Sequence, residues 1–253
     1  MIIKFLGTGT SQGVPIITCD CEVCQSKNLK DKRLRSSVLI EQKGRVFVID
    51  TGPDFRQQML REKVKRLDFV LLTHEHKDHI AGMDDIRAFN FTQKECMNVY
   101  ANKRTCKAVR TEFAYAFEEN KYPGAPEINL CEINNEAFVC KDISIQPIAL
   151  KHFKLPITGY RIDNMAYITD ASFIPEEEIK KLQGLDLLIL NALCIKPHYS
   201  HFNLEQAMAI AERIGAKQTL FTHISHAIGF HDERNAKLPS NIQLAYDGLR
   251  VEI

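Results

Sequence analysis

Tryptophan is absent from the 253 residues and aromatic residues make up only 8%. That scarcity argues against a broad base-stacking surface of the kind that grips single-stranded nucleic acid. An excess of one charge is missing too, since 33 Lys and Arg face 32 Asp and Glu for a formal net charge of +1. No global field draws in a long polyanion, so any nucleic-acid contact has to come from a local patch. The longest apolar runs, residues 68–73 and 186–190, fall far below the ~18–20 residues that a membrane-spanning helix requires. No Gly/Ser-rich linker or low-complexity stretch divides the chain. The apolar start Ile2-Ile3-Lys4-Phe5-Leu6 is too short for a signal segment and reads as a first strand. The expectation is one soluble, cytoplasmic α+β domain over residues 1–253.

What is present is periodic. Short β-rich runs recur at residues 2–6, 36–41, 45–49, 68–72, 97–100, 143–149, 157–162, 165–169, 186–190 and 218–222, many bounded by Gly, Asp, Asn or Pro. A helix is predicted over 203–215, where Leu204, Ala207, Met208, Ala211 and Ile214 share a face and Gly215 supplies the stop. Others are predicted over 53–64 and after Pro175, where Glu176, Glu177 and Glu178 suit a helix N-terminus. Residues 84–127 read as a polar, helical insertion lying over a sheet scaffold.

Nine histidines and eight cysteines carry the chemistry, because both types bind metals and both are unevenly placed. Directly after the apolar run Phe69-Val70-Leu71-Leu72 comes Thr73-His74-Glu75-His76-Lys77-Asp78-His79. His74 and His76, two apart in extended backbone, face the same way, whereas Asp78 and His79 begin the next turn and point to a neighbouring position. That geometry suits two adjacent divalent ions, each taking neutral imidazole nitrogens and a carboxylate. A second cluster, Cys19-Asp20-Cys21-Glu22-Val23-Cys24, packs three thiols into a loop at about residues 18–26. Reducing surroundings and adequate apolar content make disulfides unnecessary. Three thiols can instead wrap a tetrahedral Zn²⁺ that needs one more ligand, and His226 is the natural supplier. The remaining five cysteines are scattered, and His231 reads as a surface residue.

His74-x-His76-x-Asp78-His79, preceded by Asp50-Thr51-Gly52-Pro53-Asp54, resembles the signature of the metallo-β-lactamase superfamily. The resemblance implies an αββα sandwich of two facing mixed sheets flanked by helices, with a dinuclear metal site at one edge. It continues through His152 after residues 143–150, Asp170 after 165–169 and His223 after 218–222. By that likeness His74, His76 and His152 hold one metal, Asp78, His79 and His223 the other, and Asp170 bridges them. The opening Gly7-Thr8-Gly9-Thr10-Ser11-Gln12-Gly13-Val14-Pro15, the Cys loop, and Met83-Asp84-Asp85-Ile86-Arg87-Ala88-Phe89-Asn90 look like the PhnP branch of phosphodiesterases. That branch implies a structural zinc on Cys19, Cys21, Cys24 and His226 besides a catalytic Mn²⁺ or Zn²⁺ pair.

The implied activity is hydrolysis of a small phosphodiester, a cyclic ribose or nucleotide phosphate. A hydroxide shared by metals ~3.5–4 Å apart would attack, with Asp78 orienting it. His201, in a position that matches a general-acid histidine of related phosphodiesterases, would protonate the departing alkoxide. His198 is a weaker competitor. The likeness also implies a homodimer. One rival is a tRNA 3′-processing endonuclease of the same superfamily, for which the basic residues in 27–35 and 61–66 could contact phosphates. A second is carbonyl hydrolysis of a thioester or lactone. A non-catalytic zinc-binding module would require degraded ligands, and all seven are intact.

Overall fold

In the computed structural model, which describes residues 1–253, the periodic runs become fourteen strands. In chain order these are β1 (Ile2–Gly7), β2 (Ser37–Gln42), β3 (Arg45–Ile49), β4 (Phe69–Leu71), β5 (Met97–Asn102), β6 (Ile128–Ile133) and β7 (Phe138–Cys140). They continue with β8 (Ile143–His152), β9 (Leu155–Ile162), β10 (Met165–Ile168), β11 (Leu187–Asn191), β12 (Gln218–Thr222), β13 (Ile242–Leu244) and β14 (Arg250–Glu252). One sheet has the order β14-β1-β2-β3-β4-β5-β6 and the other β13-β12-β11-β10-β9-β8-β7. In each, an antiparallel half adjoins a parallel half. β3 to β6 are parallel, as are β10 to β13.

Period-two alternation decides the layering. In β3, Phe47 and Ile49 enter the core between the sheets while Val48 turns outward beneath helices. The middle layer joins Phe5, Phe47 and Phe69 of the first sheet to Tyr160, Tyr167 and Leu220 of the second, with the Phe47 and Phe69 rings stacked 4.4 Å apart. Helices cover both outer faces. Phe55, Met59, Ile86 and Phe89 pack on one sheet, and Ile179, Leu204, Ala207 and Ile214 on the other. The αββα sandwich expected from the sequence is therefore the observed architecture. Strands covered on both faces read as unbroken apolar runs rather than alternating ones, as β4 and β11 do.

Local signals behave as read at the helix Leu204–Ile214. Asn203 and Gln206 form a reciprocal capping box, and Gly215 closes the helix at φ 70°. The helices Phe55–Arg61 and Glu176–Lys181 lie within the predicted spans. The reading of residues 84–127 needs correcting. Helices Arg87–Gln93 and Lys103–Glu112 flank β5, which pairs in parallel with β4 and β6. The segment is integral to the first sheet and is not an insertion laid over it. The physical reason is that Met97, Val99 and Ala101 are buried in alternation with partly exposed neighbours, a strand pattern short enough to be masked by two helices.

The two sheets are pinned together near one edge. The Tyr160 hydroxyl donates to the Leu72 carbonyl at 2.6 Å, Thr158 N–H to Thr73 O at 3.0 Å, and Ile224 N–H to Thr8 O at 2.8 Å. At this edge the C-terminal ends of β3, β4, β10 and β12 converge, and the chemistry-bearing residues follow them.

Candidate metal centre

Each strand end delivers its side chains differently. After β4 the chain stays extended through His76, which caps the short helix Lys77–Ile80 with φ −63° and ψ 148°. His74 and His76 therefore share a direction, while Asp78 and His79 sit in the first helical turn, as the spacing predicted. Gly52 makes room for this turn, since a Cβ there would lie 2.1 Å from the Asp78 carbonyl oxygen. Asp50, Asp170 and His223 all adopt left-handed backbone, at φ 67°, 58° and 53°. Non-glycine residues seldom hold that region without a tertiary reason, and such outliers gather at functional sites.

Asp170 is the hub. Its Oδ1 lies 3.0 Å from His223 Nε2, and its Oδ2 lies 3.5 Å from His79 Nε2 and 3.7 Å from His74 Nε2. Asp78 Oδ2 is 3.1 Å from His79 Nε2 and 3.6 Å from His223 Nε2. His74 Nε2 and His76 Nδ1 are 3.0 Å apart. The donors fall into three overlapping groups: Asp78, His79, Asp170 and His223; His74, His76 and Asp170; His152, Asp170 and His201. His152 lies with its ring 5.1 Å from that of His76 and 4.6 Å from that of His201. Its Nδ1–H donates to the Ser200 carbonyl at 2.7 Å, which leaves Nε2 as the free donor atom.

The site is poised for cations. Burial opposes charge on His79, yet the Asp78, Asp170 and Asp50 carboxylates outweigh it and hold the imidazole well above its ordinary range. His223 follows the same pattern, raised to about 9 against burial by Asp170 and Asp78. Asp78 and Asp170 are held low by the His79 and His223 side chains despite burial. His74, by contrast, is pushed well down by burial and then by His79. Buried nitrogens without any partner remain at His223 Nδ1 and His201 Nδ1, while His79 Nε2 and His223 Nε2 face carboxylates without hydrogen-bond geometry. Orphaned imidazoles facing carboxylates are costly unless something cationic or a proton fills the gap. Imidazole with carboxylate is the donor set that suits Zn²⁺ or Mn²⁺, and the residues present fit a metal pair.

Sequence reasoning missed Asp50 as a member of the site. It is fully buried and accepts from Thr73 N–H at 2.8 Å, from the Thr73 hydroxyl, and from His79 Nδ1 at 2.7 Å. That last bond directs His79 Nε2 inward, the carboxylate–histidine arrangement that orients metal ligands. Its only signal was its place in the Asp50-Thr51-Gly52 stretch. His201 stands with its ring 5.0 Å from that of His223. Burial first, and the charge of His223 second, bring its proton affinity down to about 3.

The thiol loop converges on His226. Cys19, Cys21 and Cys24 Sγ lie 3.3, 3.3 and 3.5 Å from His226 Nδ1. A tetrahedral zinc with ~2.3 Å bonds to sulfur and ~2.0 Å to nitrogen sets S and N about 3.5 Å apart, so these four residues fit one. The Cys24 N–H, which donates to Cys21 Sγ, is the main influence drawing the Cys21 thiol down to about 6, while burial raises Cys24 to about 11.

Other expectations change. His231 is 2% exposed, not a surface residue, and its Nδ1 accepts from the Arg33 guanidinium at 3.0 Å. The helix His231–Asn235 is short and polar, which suggests a surface, while its first residue turns inward. The basic runs are largely engaged by the fold. Arg33 also donates to Thr8 and the Ala245 carbonyl, Arg35 pairs with Asp54, Arg61 donates to the Leu6 carbonyl, and Arg66 pairs with Asp68.

Against known proteins, a family model described as a β-lactamase superfamily domain matches residues 45–224. Among solved structures, the chain is similar to a diphosphatase from the PhnP family. The two share 42% identity with a TM-score of 0.93, covering 99% of this chain and 96% of that one. Among curated proteins, an octanoyltransferase of Porphyromonas gingivalis is 41% identical over 251 residues, 98% of this chain and 51% of that protein. A ribonuclease Z of Macrococcus caseolyticus is 26% identical over 218 residues, 84% of this chain and 62% of that protein. The chain thus spans 51% and 62% of the lengths of these two curated relatives.

Proposed function

We propose, from the premise that the chain belongs to the β-lactamase superfamily and resembles its PhnP-like members, that it is a metal-dependent hydrolase of small phosphodiesters of the cyclic ribose or nucleotide phosphate type. The observation that carries this reading is Asp170, which stands in all three donor groups at once. His74, His76 and His152 are assigned to one metal, Asp78, His79 and His223 to the other, and Asp170 to both. Cys19, Cys21, Cys24 and His226 are assigned to a structural zinc.

When bound, a metal pair supplies an acidified water and a Lewis-acidic seat for a phosphoryl oxygen. The chain's own groups do the rest. Asp50 and the Ser200 carbonyl hold the tautomers of His79 and His152. Asp78 accepts a hydrogen bond from the attacking water and aims it. His201, buried with its ring 5.0 Å from that of His223, stands where it can hand a proton to the departing alkoxide, in balance with the proton that the attacking water gives up.

A ribonuclease Z activity is the second reading, favoured by the identity to the M. caseolyticus protein and by a cleft lined by Lys77, Lys103, Arg104 and Lys107. Charge there is partly cancelled, because Glu75 pairs with Arg104 and Glu112 with Lys77. That neutralisation, the engaged basic runs and the net charge of +1 support a small substrate over a polymer. The name of the P. gingivalis relative belongs to a protein about twice as long, and acyl transfer is not assigned to this chain. The metal-loaded protein assayed on bis(p-nitrophenyl) phosphate and 2′,3′-cyclic AMP, beside a precursor tRNA, tests the reading. Turnover of the diesters is expected. RNA trimming, or thioester or lactone hydrolysis, with the diesters untouched would overturn it.

A further inference from the structure

Beside the candidate metal centre lies a cleft of about 590 Å³ lined by His76, His152, Phe153, Lys154 and Tyr199 and by the ion pair of Glu75 with Arg104. Two of these are large aromatic rings left open to solvent, with Phe153 52% and Tyr199 74% exposed. Their rings meet edge to face with centroids 5.6 Å apart. Tyr199 is backed by His198, whose ring lies stacked at 4.6 Å, and the Lys154 ammonium lies 5.4 Å from the Phe153 ring centre.

Phe153 occupies its position against its own conformational preference. His152 pairs with Leu155 across the β8–β9 hairpin, so Phe153 and Lys154 form a two-residue loop. Phe153, the first of them, has φ 55°. That is the position where such a loop favours glycine, and a bulky residue there is a genuine outlier. Of the eleven non-glycine residues with positive φ, Phe153 is the one hydrocarbon aromatic, and half its ring is not buried to offset the cost. Strain kept beside a reactive cluster is grounds for assigning a task to the side chain.

We propose that Phe153 and Tyr199 form a small stacking platform for a nucleobase, so that the preferred substrate is a nucleotide-type phosphodiester and not a base-free sugar phosphate, with Lys154 flanking its negative charge. The proposal rests on the phosphodiesterase reading for the reaction, but not for the binding. Two rings beside the ligands His76 and His152 set a base on the rim while the phosphate reaches the centre. Stacking tolerates any base, because every base presents a π-face. The overall shortage of aromatics is no obstacle, since one base needs only one local platform.

The test uses Phe153→Gly, which relieves the backbone while deleting the ring, and Tyr199→Leu at an exposed position, with Tyr199→Phe as the conservative rescue. Calorimetry on the metal-loaded protein compares adenosine 5′-monophosphate with ribose 5-phosphate as probes. AMP is expected to bind about tenfold or more tighter, and the double variant to lose that margin, as removal of one stacking contact predicts. In kinetics, the double variant is expected to raise KM for 2′,3′-cyclic AMP about tenfold with little change in kcat, whereas Tyr199→Phe alone keeps the native KM. Equal binding of AMP and ribose 5-phosphate, or a margin that survives loss of both rings, overturns the platform. So does a ring requirement confined to cleavage of precursor RNA. If no diester is hydrolysed yet AMP binding depends on both rings, the activity reading fails while the platform stands.

Discussion

Replacing Asp50 by Asn is the sharpest probe of the centre, because it changes one buried atom and leaves the shape alone. Asp50 accepts three donors, Thr73 N–H, the Thr73 hydroxyl and His79 Nδ1–H, and none of its surface reaches water. An asparagine can satisfy Thr73 with its single oxygen, but its NH₂ then faces His79 Nδ1. The imidazole has to become the acceptor there, which moves its proton to Nε2, the atom 3.1 Å from Asp78 and 3.5 Å from Asp170. A protonated nitrogen cannot ligate. Loss of such an orienting carboxylate costs 10–100-fold in metal affinity or activity, about 1.4–2.7 kcal/mol. Competition against a chromophoric chelator reads the affinity directly, and circular dichroism verifies that the variant is folded. The weakened affinity should appear in one metal equivalent, that of the Asp78, His79 and His223 side. A folded Asp50→Asn variant whose metals are held within threefold of the native affinity would refute the reasoning.

Gly52→Ala should push on the turn that carries Asp78, since its Cβ would stand 2.1 Å from the Asp78 carbonyl; a destabilisation on the order of 2 kcal/mol and weaker metal retention are expected from denaturant titration and chelator competition. Cys21→Ser should remove one of three metals per chain in elemental analysis and lower the melting temperature by roughly 5–10 °C, as ~2–3 kcal/mol does in a chain of this size; an unchanged metal count refutes the thiol site. His201→Ala should lower kcat by about 10²–10⁴-fold at full metal content, and equal turnover would remove it from proton transfer. His231 bears on pH dependence. Burial, then Arg33 and Lys30, depress its proton affinity to about 4, so the unfolded chain takes up the proton first. Its contribution to stability is whole above pH ~6.5 and is lost as pH falls toward 4. Between pH 7 and 5 the native protein should lose about 1–2 kcal/mol more than His231→Asn, measured by urea unfolding; an equal loss contradicts the assignment.

The sandwich was legible because its central strands are long apolar runs and its best helix carries cap, stripe and stop together. What escaped detection was short or peripheral. β7, β13 and β14 have three residues each, and edge strands with one exposed face carry little hydrophobic pattern. β5 carries a β-rich run, but its six residues lie between two helices whose periodicity dominates the segment. At the centre, the histidines are visible from their local density. Asp50 is not, because its importance arises from a contact 29 residues away in sequence that only the parallel pairing of β3 with β4 creates. His231 shows the converse, where a polar residue in a polar helix is buried by a partner, Arg33, that no local pattern announces.

The left-handed residues at the strand ends have a bearing on how such a protein can change over time. The donors Asp170 and His223 follow closely on the ends of β10 and β12, and Asp78 and His79 sit in the short helix after β4, all anchored to the packed layers, whereas Phe153, Tyr199 and Arg104 stand on a hairpin tip, a loop and a surface helix. Mutation can therefore rebuild the rim without disturbing the donors, because hairpin tips and loops accept new residues at little cost to the strands beneath. A lineage built this way keeps its reactive centre while exchanging the molecules admitted to it. Relatives that carry names as different as ribonuclease Z and diphosphatase are what that division of labour would be expected to leave behind.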